Sequence, residues 1–439
     1  MKRKDIRKYT IYIIVFCAVA FIAMCVYYFI PPKQESGKAP AEKRTVWSDT
    51  LTNRSSEYEP LYPMDKDVER FMAKWDIKGM QLAVSRNDSL LFAKGYGMAN
   101  AELGVPMEAT TVTRIASASK LVTAAAVMKL VEDRKLSLDS KVFGEGGILD
   151  SGKFREATAD KRVNDITVGN LLRHQGGFTL GAGDPMFNTV EIIKAKRLNH
   201  VPAGDELIEI VLKRRLGFTP GAGRRYSNFG YYLLSRVIEK VTGKGYWDYV
   251  KENILEPAGC YDFMPATNYY EERGRDESRY YSPDAELVEE FNNSGRMVDR
   301  CYGGANIRGL MGAGGWVTSA ADFCRFVATI DGDPTVPDII SPASVALMTA
   351  HGEKSKESLG WTDSDGKGKW TRSGTLSSAH ALVVRYPDGE CWVMTTNTGV
   401  WTGFHFTHSM QRLIDTLRSR YSERFPARNL WAAPISQKK

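Results

Sequence analysis

A chain of 439 residues, 43% hydrophobic and 25% charged, is long and apolar enough to bury a sizeable core. Its net charge of +7 sits mostly near the start: positions 1–10 carry +4, positions 31–46 carry +2, and everything beyond is close to neutral. A nearly neutral body excludes a nucleic-acid-binding protein built on a basic face.

Residues 11–30 contain no charge, and about twenty apolar residues are what a bilayer span requires. Lys2, Arg3, Lys4, Arg7 and Lys8 precede them against Asp5 alone. The positive-inside rule therefore predicts a cytosolic basic segment over 1–10, a transmembrane signal anchor over 11–30, and a single-pass protein of the cell membrane with its catalytic body extracytoplasmic. Ala18-Val19-Ala20 also matches a small-residue cleavage site, so a cleaved signal peptide is the alternative. Residues 31–60 are rich in Pro, Lys, Glu, Ser and Thr and read as a linker, followed by a folded domain over 61–425 and a tail over 426–439.

Within the body, Val68, Phe71, Met72 and Trp75 mark one face of an amphipathic helix, and residues 80–85 alternate loosely as a strand. Asn87-Asp88-Ser89 turns the chain into a second strand over 90–94. Ser117 opens an apolar run, 121–131, whose small residues suit a closely packed helix. The turn Phe218-Thr219-Pro220-Gly221-Ala222-Gly223 puts Tyr226 on a loop edge. Residues 268–300, with Tyr-Tyr pairs and dense Glu, Arg and Asp, read as loops bordering a cleft. Strands follow over 369–374, 381–386 and 390–396, the last two joined at Pro387-Asp388-Gly389, and a final helix spans about 404–420. Strands at both ends with helices between them predict an α+β fold: an antiparallel sheet flanked by helices, a largely helical second lobe carrying Tyr226, and a cleft between the two.

Two short motifs carry chemistry. Ser117-Ala118-Ser119-Lys120 sets an amine one helical turn from a hydroxyl, which a serine needs in order to act as a nucleophile. Ser436-Gln437-Lys438-Lys439 has the same spacing but lies in a polar tail with no scaffold. An N-cap is the plain alternative for Ser117. Tyr226-Ser227-Asn228 is the only Y-x-N in the chain, and near an ammonium its phenol acidifies while a buried lysine sheds its proton, so both shifts serve to deprotonate Ser117. Cys260, Cys301, Cys324 and Cys391 lack CxxC spacing, which argues against zinc and for buried thiols, with one or two disulfides as the alternative. His405 and His408 share a helical face but lack a third ligand. His174, beside Gly176-Gly177, reads as a loop anchor. No metal and no cofactor is implied.

On these motifs the chain resembles the penicillin-recognising serine hydrolases: class C β-lactamases, D-alanyl-D-alanine carboxypeptidases and related esterases. The likeness extends to Gly95-Tyr96-Gly97, to Leu171-Leu172-Arg173-His174 with Gly176-Gly177, and to the run from Gly314 to Asp322, all in family order. It implies that Ser117 is acylated, that Lys120 and Tyr226 move protons, and that Asn228 contacts a substrate amide. The family's third motif, Lys-Thr-Gly or His-x-Gly, aligns with Arg372-Ser373-Gly374, a departure that keeps the charge but cannot relay a proton. Arg372 then either grips a substrate carboxylate or is an ordinary cation facing water. Gly374 would let backbone approach the ligand, and Thr375 would supply an oxyanion-hole N–H together with Ser117. The partners implied are a small-molecule or peptide substrate, a β-lactam or D-Ala-type peptide or an ester. A membrane reached through the anchor is the other, and the arginine leaves open a catalytically weak protein that binds peptidoglycan peptides.

Overall fold

Near both ends of the body the chain alternates apolar side chains, and in the computed structural model those stretches meet in one antiparallel sheet. The structure describes residues 50–432 apart from 180, 182, 285, 286 and 352–357. Strands β1 (Gly79–Arg86), β2 (Ser89–Asn100) and the short β3 (Val105–Pro106) come from the start, and β4 (Asp363–Ser364), β5 (Trp370–Leu376), β6 (Ala379–Arg385) and β7 (Glu390–Thr396) from the end. Their order is β3-β2-β1-β7-β6-β5-β4, with β1 joined to β7 in the register Ala83↔Val393. The first hairpin turns at Asn87 and Asp88, both at positive φ, the conformation of a two-residue turn that Asn and Asp tolerate.

Both faces of the sheet are covered, which is why its strands read as nearly continuous apolar runs. Met80, Leu82 and Val84 of β1 and Leu382 and Val384 of β6 pack under α1 (Tyr62–Trp75) and the C-terminal α5 (Phe406–Tyr421). Ala83, Ala381, Val383 and Val393 face the opposite way. There they join one continuous core with α2 (Ser119–Glu132), α3 (Asn228–Thr242) and α4 (Ala320–Val327). The helical insertion therefore shares its core with the sheet rather than building its own. α2 is buried along almost its whole length, and its alanines permit close approach: a Cβ on Gly360 would lie 2.7 Å from Ala124 Cβ.

Packed chain extends past both expected domain boundaries among the described residues. Leu51 and Ser56, inside the stretch read as linker, are buried, and Asn53 bonds the backbone of Gly95 and Met107. In the stretch read as tail, Leu430 donates to Leu90 O and Trp431 is buried. Asn53 and the Leu430 backbone thus bond β2 where β3 does not cover it, so polar composition that suggested a linker serves in part to cap the sheet. Residues 268–300 contain the short hairpin Leu287–Glu289 with Met297–Asp299 rather than loops alone. The expected segments 1–10 and 11–30 and the Ser436 motif lie outside the described residues. Among the described residues no helix is long and apolar enough to cross a membrane. The four described cysteines are buried free thiols, as expected.

Candidate active site

Ser117 lies in a 3₁₀ turn, Ala116–Ala118, that leads directly into α2. Ala116 holds φ 49°, an unfavourable conformation for a residue with a Cβ, and it persists because the residue is buried. The turn is pressed against β5. A Cβ on Gly374 would stand 2.1 Å from Ile115 O and 2.9 Å from Ser117 N, so only glycine lets the strand come this close.

Around the Ser117 hydroxyl two ionisable groups converge. Tyr226 Oη donates to Ser117 Oγ at 2.6 Å, and Lys120 Nζ donates at 3.2 Å. The fully buried Lys120 ammonium also donates to Asn228 Oδ1 at 2.8 Å and to the carbonyl of Ala313. Burial pushes Lys120 down to about 8; Tyr226 and Asp184 pull it up, and Arg372 adds to the fall. Burial alone would raise the Tyr226 phenol, yet the charges of Lys120 and Arg372, with the hydrogen bonds to Lys120 and Ser117, outweigh it and hold the phenol below its ordinary range. When either group loses its proton it becomes an acceptor, and the Ser117 hydroxyl can then donate to it.

His174 supports this pair as the loop anchor its setting suggested. Its ring lies 4.5 Å from that of Tyr226, and Nδ1 accepts the Ser227 N–H at 3.2 Å. Burial, reinforced by Lys120, Arg372 and Arg224, keeps the imidazole far below its ordinary value, so it stays neutral. Asn228 opens α3 behind the Ser227 cap, whose hydroxyl accepts the Gly230 N–H.

Arg372 corrects one expectation. It is not a strand-edge cation in water: only 1% of it is exposed, and Nε donates to Ser117 O at 2.8 Å. Inward-facing positions alternate along β5, and that period carries Trp370, Arg372, Gly374 and Leu376 toward the interior. Thr375, on the other face, pairs with His380, its Oγ1 3.2 Å from the ring Nδ1.

Ser117, Lys120, Tyr226, Asn228, Arg372 and Gly374 thus meet, with Thr375 next to them on β5. Sequence reasoning missed Asp184, which accepts from Asn228 Nδ2 at 2.7 Å, and Arg114, which is buried on the strand entering the turn. Arg114 stacks 4.1 Å from the Tyr280 ring and donates to Cys301 O and Thr267 O, giving the tyrosine-rich segment a bracing role. The only signal for Asp184 was its place in Gly183-Asp184-Pro185, which reads as a turn. A pocket of about 250 Å³ borders the site through Asp184 and Ser227 and is lined by Phe178, Val211 and Phe229; Ser117 is not part of its wall. Among the described residues no three His, Cys, Asp or Glu side chains converge as metal ligands would.

An antiparallel sheet covered on both faces, with a serine, lysine and tyrosine meeting where β5 touches a helical insertion, defines a recognisable class of fold. The family described as Beta-lactamase matches residues 64–415, and the chain belongs to that family. It is 28% identical over 203 residues to esterase EstB of Burkholderia gladioli, covering 45% of this chain and 50% of that protein. To a putative D-alanyl-D-alanine carboxypeptidase of Escherichia coli O157:H7 it is 29% identical over 195 residues, covering 41% of this chain and 42% of that one. The chain therefore spans about half the length of these relatives. Among solved structures, D-amino acid amidase from Ochrobactrum anthropi SV3 superposes with a TM-score of 0.63 at 19% identity, over 84% of this chain and 99% of the amidase. That likeness bears on the fold.

Proposed function

We propose that the chain is a serine hydrolase working through an acyl-enzyme on Ser117. The observation that carries this reading is the convergence of Tyr226 Oη at 2.6 Å and Lys120 Nζ at 3.2 Å on one half-buried hydroxyl. In acylation the Ser117 oxygen bonds to a substrate carbonyl carbon while its proton passes to neutral Lys120 or to the Tyr226 phenolate. That proton then goes to the leaving nitrogen or oxygen as the tetrahedral intermediate collapses. Water, deprotonated by the same pair, attacks the ester and restores Ser117. The N–H groups of Ser117 and Thr375 form the oxyanion hole, a placement supported by the close approach of β5 to the Ser117 turn. Asn228 orients the substrate, and the Arg372 charge lies behind Ser117.

The substrate class is a β-lactam or a D-Ala-type peptide, supported by the carboxypeptidase relative and by the cationic Arg372 beside the nucleophile. An ester is the second reading, favoured by the similarity to an esterase. The chain is anchored in the cell membrane by residues 11–30 with the hydrolase extracytoplasmic, a reading supported by the charge-free run and the basic segment before it. An intact-mass time course with a penicillin and with a nitrophenyl ester, using Ser117→Ala as control, tests the chemistry. A serine-dependent adduct that persists indicates a peptidase-like enzyme, one that turns over indicates a β-lactamase, and ester turnover alone indicates an esterase. Equal hydrolysis by Ser117→Ala would sink the proposal. Protease accessibility of the body in intact cells tests the topology.

A further inference from the structure

Asp184 lies outside the two motifs, yet the hydrogen-bond chain through the site ends on it. Its Oδ2 accepts from Asn228 Nδ2 at 2.7 Å, and Asn228 Oδ1 accepts from Lys120 Nζ at 2.8 Å. Asp184 is itself fixed: Oδ1 accepts the Met186 N–H at 3.0 Å, and its carbonyl accepts the N–H groups of Phe187 and Asn188, both at 2.9 Å.

We propose that Asp184 is a positioning residue that locks the side-chain amide of Asn228, and through it Lys120, in the orientation that reaction at Ser117 requires. A side-chain amide is nearly symmetric in shape, so packing alone does not choose between its two orientations. Here the two partners choose. An ammonium can only donate and an ionised carboxylate can only accept, so Oδ1 must face Lys120 and Nδ2 must face Asp184. The reverse orientation would set an NH₂ donor against the Lys120 ammonium and an amide oxygen against a carboxylate. Among the described residues Nδ2 meets no acceptor besides Asp184, so its other N–H is the one a substrate carbonyl would take. The negative charge also favours the ammonium form of Lys120 and opposes the effect of burial. The charged, titratable and aromatic groups facing Lys120 are Tyr226 from its loop, Tyr231 from α3, Arg372 from β5, and Asp184 and His174 from the helical lobe.

The inference rests on the acyl-enzyme reading above, and one experiment separates the two. A fluorophosphonate is reacted with the full chain across pH, and the Ser117 adduct is followed by intact mass in wild type, Asp184→Asn, Asp184→Ala, Asn228→Ala and the double variant Asp184→Ala/Asn228→Ala. Asp184→Ala is expected to slow labelling about tenfold and to move the rising limb of the rate to lower pH, because Lys120 loses the charge that held its proton. Asp184→Asn, which is isosteric and can still accept from Asn228, is expected to recover part of the rate while keeping the shifted limb. In the Asn228→Ala background the loss of Asp184 should still move the limb but change the rate on the high-pH plateau less than about twofold, since the hydrogen-bond path to Lys120 is gone. Equal losses in both backgrounds, or an unmoved limb with an undiminished rate in Asp184→Asn, would overturn the assignment of Asp184 alone. A wild type that forms no Ser117 adduct overturns the acyl-enzyme reading, and this assignment with it.

Discussion

Replacing Gly374 with alanine places a methyl group where the structure has none to spare. The new Cβ would stand 2.1 Å from Ile115 O, 2.8 Å from Ala118 N and 2.9 Å from Ser117 N. All three are backbone atoms, so no rotamer change relieves the contact, and the strand and the turn must separate by about 1 Å to restore van der Waals distance. Overpacking of this kind costs about 1–3 kcal/mol of stability. The effect on chemistry should be larger, because a displacement of about 1 Å at the reacting atoms is enough to cost roughly 100-fold in rate. The same movement stretches the 2.8 Å bond from Arg372 Nε to Ser117 O, two residues away on the same face of β5. The measurement is the rate of Ser117 labelling by a fluorophosphonate, paired with the thermal unfolding midpoint. Labelling about 100-fold slower with a midpoint lowered by only a few degrees is the expected result. A Gly374→Ala protein labelled at the wild-type rate would refute the claim that this contact sets the nucleophile's position.

Other changes probe the same arrangement. The wild-type labelling rate should rise with pH as Lys120, pushed down to about 8, loses its proton, and should level above that value; a rate flat from pH 6 to 10 would contradict the role given to Lys120. Tyr226→Phe removes the 2.6 Å partner of Ser117 and should slow labelling by about 100-fold or more with little change in unfolding midpoint. Arg372→Lys keeps the charge but loses the Nε–H bond to Ser117 O, and a drop of about tenfold is expected; faster turnover than wild type would instead favour a weakly catalytic binding protein. Asp88 is raised to about 7 by burial and by Asp331, so the folded state takes up a proton between about pH 4 and 7 and loses stability as pH rises through that window. Asp88→Asn should remove that loss, stabilising the protein on the order of 1 kcal/mol at pH 8, with the pH-dependent part gone below pH 4 in chemical denaturation.

Local signals placed the candidate site, because each group announces itself over three or four residues: the lysine one turn from Ser117, the tyrosine two before Asn228, the glycine two after Arg372 on β5. The sheet was legible for the same reason, with the turn residues Asn87, Asp88 and Gly389 punctuating apolar runs. What stayed hidden was set by contacts distant in sequence. The exposure of Arg372 depends on which face of β5 meets a turn 255 residues away, and no local pattern carries that. Asp184 looks like any turn aspartate until Asn228 is brought against it across 44 residues. The packing within the stretches read as linker and tail was hidden likewise, since Asn53 and Arg428 are polar residues whose partners include backbone groups of β2, and composition cannot tell a solvated side chain from one that caps an edge.

An arginine in the third motif first suggests a lost proton carrier, since its guanidinium does not titrate in a protein. The geometry gives it a different task. Among the described residues Lys120 and Tyr226 contact Ser117 Oγ directly, whereas Arg372 reaches the same residue at its carbonyl. The guanidinium charge there lowers the proton affinity of Lys120 and of Tyr226 together. A lysine in its place could itself release a proton in this buried, cation-rich setting, and its point charge would not hold the Ser117 carbonyl from a fixed plane. Under the proposed acyl-enzyme mechanism the substitution would separate two duties, leaving proton transfer to the pair on the helical side and electrostatic pressure to the strand.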